Sequence, residues 1–428
     1  MVKRRYLVLK SFIIGLFSGA IAVAFRLALE HAEIIRNAGL TYFKQTAWFL
    51  SPLVFSLTLF FIIYCVKTLA PEAGGSGIPH LKGVLRGVFD FRALRVLAVK
   101  FLGGTVGIGA GLALGREGPT GQMGWAVGFL CAHLFSSRAA ELKILTCAGA
   151  GAGLAAAFNA PFAGVLFVLE ELRGDFDRYT LLATFTSTIA ANIICRMVFG
   201  QAPIFSLNLV EFWHISLLFG CVFLGLFLGV GGLCFNLVLM RSVRALSVYK
   251  QAIGISLGII FGIVGLYFPE LLGSGNALMQ RIFHDEFSMQ ALAAIFFLRF
   301  MFTMLSYNSG SPGGIFAPLL LLGGTLGVIG GKIISLYQPF DVTIALVLGM
   351  AGFFSAIVRS PVTGIMLILE MTNQFYLLFP LLVVSIVAYA VPEWFSNKPI
   401  YEDLLLCEIQ KKFHNHQHVE QRAHGKEV

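Results

Sequence analysis

Apolar residues fill this chain in long blocks, separated by short polar or glycine-rich breaks. The blocks run at about 8–30, 48–69, 94–114, 123–136, 144–170, 181–199, 214–240, 252–268, 290–306, 315–336, 342–357 and 361–395. A helix that crosses a membrane needs about 20 apolar residues. Several blocks are shorter than that and end at Gly or Pro. The pattern predicts an all-α, polytopic membrane protein in which half-helices and tilted pairs accompany full crossings. From about Cys407 the chain turns polar, with Lys411, Lys412, His414, His416, His418 and His424. Residues 406–428 therefore read as a solvated, disordered cytoplasmic tail rather than a metal site. Residues 1–405 read as a single transmembrane domain.

The pattern also repeats. Gly151–Glu170 and Ala351–Glu370 align without gaps at a shift of 200, matching Ala156, Pro161, Gly164, Leu169 and Glu170 to Ala356, Pro361, Gly364, Leu369 and Glu370. Gly115–Pro119 aligns with Gly314–Pro318 at a shift of 199, and Gly75-Ser76-Gly77 with Gly273-Ser274-Gly275 at a shift of 198. Three landmarks in one order make two homologous halves, about 30–200 and 215–400. Internal repeats in a membrane protein point to transport, with the site at the repeat interface. The alignment alone is compatible with parallel or inverted halves.

Composition agrees. Hydrophobic residues make up 57% and charged residues 12% of the chain, against about 25% charged in soluble domains. Mean hydropathy is +0.83. The 47 glycines exceed the usual share of about 7% and suit closely packed helices. A net charge of +9 sits mainly at segment ends. It reads as membrane orientation, and no nucleic-acid partner is expected. The basic start at Lys3, Arg4 and Arg5 resembles a signal peptide, but no small-residue cleavage site stands out before Arg26. A retained first helix with a cytoplasmic start is expected. The seven cysteines form no CxxC pair and read as small buried hydrophobes.

Candidate chemistry lies at the breaks. Arg116 and Glu117 stand inside an apolar region, where a charge costs about 2.5–3.5 kcal/mol on insertion scales and marks a site by default. The alternative is an Arg–Glu pair that ties down a loop at a membrane surface. Gly74–Pro79, Gly115–Pro119 and Gly313–Pro318 each precede or open a helix. Helix starts carry free N–H groups and about half a positive charge, and so attract anions. Three or four converging would supply about 2–8 kcal/mol by simple addition, enough to hold an anion that must also leave. Glu117 on such a break can occupy the anion site itself and swing away once protonated. Glu170 and Glu171 close a long apolar run before Leu172-Arg173. They read either as an interfacial helix end paired to Arg173 or as a second proton relay.

Other readings are weaker. Gly74–Gly77 fits the GxSG pattern of rhomboid-like intramembrane serine hydrolases with Ser76 as nucleophile, but this needs a histidine inside a later helix. His133, His214 and His284 sit near segment ends. Gly151–Ala156 resembles a dinucleotide turn without a preceding strand. Enzymatic activity and a cofactor are not expected.

Together these motifs resemble the CLC family of chloride channels and proton-coupled chloride exchangers. Gly75–Pro79, Gly115–Pro119 and Gly314–Pro318 match its three anion motifs in order, and the resemblance continues through Phe158–Glu171 and Asn397–Leu404. It implies inverted halves, eighteen mostly tilted helices and a homodimer with one pore per subunit. It further implies hydroxyls from Ser76 and Tyr401 at a central anion, with the N–H groups of Ile315 and Phe316. An outer site would form from the backbone around Arg116, Glu117, Gly118 and Ala317, and Gly77 would also bind the anion. Glu117 would be the external gating glutamate and Glu171 the internal proton-transfer glutamate, with Glu170 supporting. Family channels usually carry an apolar residue at the Glu171 position, so the resemblance favours a chloride/proton antiporter over a passive chloride channel. Ser76 suits chloride over nitrate, and Arg116 argues against fluoride export. The short tail implies a prokaryotic form without CBS domains, in the bacterial inner membrane with both termini cytoplasmic. Its expected partners are chloride, protons and the lipid bilayer.

Overall fold

The computed structural model describes residues 4–205, 215–284 and 286–424, with side chains for 5–205, 217–284 and 286–413. His214 and the tail histidines His414, His416, His418 and His424 lie outside the described side chains.

Eight helices form the first half: α1 (Arg4–Thr46), α2 (Leu50–Leu69), α3 (Ile78–Leu85), α4 (Ala93–Gly109), α5 (Glu117–Leu134), α6 (Ala139–Phe158), α7 (Pro161–Leu166) and α8 (Arg178–Phe199). A π-helical stretch, Phe167–Arg173, continues α7. Eight more form the second half: α9 (Ile215–Leu246), α10 (Lys250–Tyr267), α11 (Asn276–Phe283), α12 (Met289–Asn308), α13 (Phe316–Ile334), α14 (Val342–Val358), α15 (Pro361–Thr372) and α16 (Leu378–Trp394). A last helix, α17 (Ile400–His424), follows. Among the described residues there are seventeen α-helices, where the resemblance implies eighteen, and no β-strand. Nine described helices are long and apolar enough to cross a membrane.

The halves are inverted, and two carboxylates make this visible. Glu170, near the end of the α7 segment, accepts hydrogen bonds from the N–H groups of Val362 (3.3 Å) and Thr363 (2.8 Å) at the start of α15. Glu370, near the end of α15, accepts from Phe162 (3.1 Å) and Ala163 (2.8 Å) at the start of α7. Each helix end meets the other's beginning, so α7 and α15 run antiparallel. Pro161 and Pro361 open these helices, where a missing N–H costs nothing. The remaining free N–H groups take the carboxylates.

Glycine content has its reason in the pairs α5/α6 and α13/α14. A Cβ on Gly124 would stand 2.1 Å from the Gly149 carbonyl oxygen, and one on Gly349 would stand 2.3 Å from that of Gly323. These backbones touch, as small-residue seams in membrane helices allow. The seams hold α5 and α13 rigidly in the interior, where their first turns face one another.

Two segments differ from the pattern. The first helix runs well past the apolar block into polar sequence, where Glu33 accepts from Ser274 Oγ (3.4 Å) and Arg36 donates to the Gly109 carbonyl (3.4 Å). The tail is helical through His424 rather than disordered. Leu404, Leu405 and Cys407 bury its inner face, and Lys412 Nζ donates to the Val88 carbonyl at 2.7 Å.

Candidate functional site

The three breaks read from the sequence meet at one point. Gly115 and Gly314 exchange backbone hydrogen bonds of 2.7 and 2.8 Å. Gly75 N–H donates to the Ser311 carbonyl (3.1 Å), and Gly313 N–H donates to that of Gly75 (3.0 Å). The starts of α3, α5 and α13 are thereby stitched together. Contact at the seam is direct: a Cβ on Gly118 would lie 2.7 Å from the Ser76 carbonyl oxygen. Gly77, at φ 82°, turns the chain into α3 in a left-handed conformation that favours glycine.

Ser76, Gly77, Glu117, Gly118, Ile315, Phe316 and Tyr401 are all buried around this junction, and Ala317 is half-buried. The Tyr401 hydroxyl, at the start of α17, is buried with no hydrogen-bond partner among the described residues. A buried phenol normally finds a partner, so this one points to a ligand position. Phe316 is fixed by rings on three elements, with centroids of Phe354, Phe158 and Phe167 at 4.4, 5.5 and 6.4 Å. Its N–H thus has a set direction at the start of α13.

Glu117 is 2% exposed. Its carboxylate reaches across to α13 and accepts from Ala317 N–H at 3.4 Å. It thus occupies the free N–H end of α13. On one side of it lies a cavity of about 440 Å³ whose lining includes Arg26, Glu30, Glu33, Arg116, Ser274 and Asn276. Between that cavity and the junction remains only about 20 Å³ beside Glu117 and Ala317. On the opposite side a cavity of about 230 Å³ reaches Ser76, bordered by Lys250, Tyr307, Glu408 and Lys411. Glu117 stands between the two. Arg116 and Glu117 do not ion-pair with each other, so the surface-pair reading of these residues is set aside; Arg116 faces the larger cavity.

Glu171 is 5% exposed. Its Oε1 meets Lys82 Nζ at 2.7 Å, and its Oε2 accepts from Ser360 Oγ at 2.8 Å. Pairing to Arg173 is corrected: Arg173 instead meets Asp175 at 2.8 Å and Asp177 at 3.5 Å. Glu170 turns the other way and caps α15, as described above. The doublet thus separates into a helix cap and a buried, ion-paired carboxylate. Beyond Lys82, Glu402 is held by both Arg86 guanidinium nitrogens (2.7 and 2.8 Å). That hydrogen bonding keeps the Glu402 carboxyl below its ordinary range.

The hydrolase reading finds no support. No hydrogen bond joins a histidine to Ser76 among the described residues. His133 and His284 each use Nδ1 on a carbonyl of their own helix, 2.8 and 2.7 Å away.

Sequence reasoning missed several residues. Lys100 donates to the carbonyls of Ala73 (2.9 Å) and Gly75 (2.7 Å), and Arg299 to those of Leu271 (2.9 Å) and Gly273 (3.0 Å). These buried cations brace the same turn in each half. Their shared shift of 199 was readable in the repeat. Tyr307, whose hydroxyl lies against Gly75 and Ser76, carried no signal. Lys82 looked like an ordinary residue on a short helix.

Residues 58–393 match the family model described as voltage gated chloride channel. The H(+)/Cl(-) exchange transporter ClcA of Salmonella arizonae is 36% identical over 423 residues, covering 95% of this chain and 89% of the relative. The ClcA of Salmonella schwarzengrund is 36% identical over 417 residues, covering 94% and 88%. Among solved structures, that of a slow cyanobacterial Cl-/H+ antiporter superposes with a TM-score of 0.91 at 31% identity, covering 96% of this chain and 99% of the other. A eukaryotic CLC transporter superposes with a TM-score of 0.79 at 24% identity, covering 94% and 74%, and shares the fold.

Proposed function

The chain belongs to the voltage-gated chloride channel family, and from that membership we propose that it is a secondary active transporter exchanging chloride for protons. The carrying observation is the Glu117 carboxylate on the start of α13, between the larger cavity and the buried hydroxyls of Ser76 and Tyr401. In this reading the anion crosses between those hydroxyls and the N–H groups of Ile315 and Phe316. The outer position lies around Arg116, Gly118 and Ala317, and Gly77 also borders the anion path. Chloride and the Glu117 carboxylate compete for one helix start, because both are anions drawn to the same free N–H groups. Protonation removes that attraction and releases the side chain outward. Chloride takes the vacated position, and the proton has entered the protein.

Glu171 is the inner proton-transfer group. It is buried near the junction but set apart from the Ser76 cavity, so protons and chloride part company on the inner side. The relatives named as exchangers support coupled exchange. Two buried carboxylates on one path support it over a passive channel, which needs no second one. The protein works as a homodimer in the bacterial inner membrane, with both termini cytoplasmic and one pathway per subunit.

Glu117→Gln mimics the protonated carboxyl and cannot release a proton. In reconstituted vesicles it is expected to pass chloride and move no protons. Proton pumping that survives the substitution would overturn the mechanism.

A further inference from the structure

Lys82 stands between two carboxylates. Its Nζ is 2.7 Å from Glu171 Oε1 and 3.7 Å from Glu402 Oε2. The Lys82 side chain is 12% exposed, Glu171 4% and Glu402 27%. The row Arg86–Glu402–Lys82–Glu171 alternates in sign and joins α3, α17 and the π-helical end of α7. With Ser360 on its second oxygen, Glu171 has a partner on each oxygen, and a proton arriving from inside must displace one of them.

We propose that Lys82 is a positioning residue that governs proton loading of Glu171 by moving between Glu171 and Glu402. This rests on the exchanger reading above. With Lys82 on Glu171, the carboxylate is held ionised and closed to protons. When Lys82 shifts to Glu402, Glu171 is left buried and uncompensated, a state that capturing a proton relieves. The proton comes from water on the inner side and forms the O–H bond at Oε1. Lys82 keeps all three of its own protons, so one proton enters and one carboxylate is neutralised. Arg86 holds Glu402 in place as the resting point for Lys82.

The charged neighbours of Glu171 on its own segment are committed elsewhere: Glu170 is on Thr363 and Arg173 on Asp175. Tyr401, on α17, faces Glu171 as a neutral phenol. Lys82 is therefore the cation that sets how readily Glu171 takes a proton. An opposite charge this near commonly shifts carboxyl titration by about 1–3 pH units.

The test is the inner-pH profile of chloride-driven proton transport in reconstituted vesicles, for wild type, Lys82→Met, Lys82→Arg and Glu402→Gln. Lys82→Met is expected to move the profile about 1 pH unit or more toward alkaline pH, because proton capture becomes easier. Glu402→Gln removes the alternative partner, holds Lys82 on Glu171 and moves the profile toward acid. Lys82→Arg keeps the charge and returns the profile to the wild-type position. A merely structural role would not give shifts of opposite sign. Superimposed profiles in Lys82→Met and Glu402→Gln overturn the proposal, and either variant alone decides it should the other not fold. Wild type that moves no protons overturns the exchanger reading instead, so the two failures are distinct.

Discussion

Gly115 has no room for a side chain, because Glu117 and the start of α13 fill the space. A Cβ there would lie 2.1 Å from Glu117 Oε2 and 2.9 Å from Ala317 N. The first atom is the end of a flexible side chain and the second is backbone. Gly115→Ala should therefore expel the Glu117 carboxylate from the start of α13. We expect chloride flux to rise relative to proton flux, measured as paired chloride and proton efflux from vesicles. An unchanged flux ratio would show that Glu117 does not need this position. At this scale the sequence told much. An acidic residue between glycines in an apolar region, absent from its repeat partner at Gly314–Pro318, marks Glu117 as something the architecture does not require. It told less about Lys82 and Tyr307, because their roles depend on partners 89 residues away at Glu171 and, for Tyr307, across the halves at Gly75.

Among the elements, α7 and α15 are the most instructive pair. Each lends a carboxylate to the other's first turn, and each cap satisfies two N–H groups that membrane lipid would leave bare. Losing a helix cap typically costs about 1 kcal/mol, and up to about 2. Glu370→Ala should lower the stability of the detergent-solubilised protein by that amount, seen as a lower thermal midpoint, while chloride/proton coupling persists. Lost coupling with an unchanged midpoint would contradict the capping role. The repeat made these helices legible, since Pro161 and Pro361 mark both starts and Glu170 and Glu370 both ends. It could not reveal that the carboxylates swap, since a linear alignment leaves the orientation of the halves open. Helix extents were the least legible, because polar turns held by hydrogen bonds continue α1 beyond its apolar block and carry α17 through polar sequence.

For the whole molecule, inversion explains how motifs without a lysine could form the proposed anion site. Helix starts from opposite ends of the two halves point inward together, and backbone hydrogen bonds between Gly75, Gly115, Ser311 and Gly314 lock them. Lys100 and Arg299 brace the turns from behind, holding carbonyls rather than facing the junction. In the proposed mechanism an anion at the junction meets helix-start N–H groups, while the cations Arg26, Arg116, Lys250 and Lys411 line the flanking cavities. In the proposed mechanism coupling depends on a carboxylate at each side of the junction, so chloride movement is expected to drive protons. The most direct test places the wild-type protein in vesicles with a chloride gradient and no initial pH gradient. The account predicts that chloride running downhill drives protons uphill in the opposite direction, with a reversal potential between those of the two ions. Chloride flux with no proton movement, reversing at the chloride equilibrium potential, would contradict it.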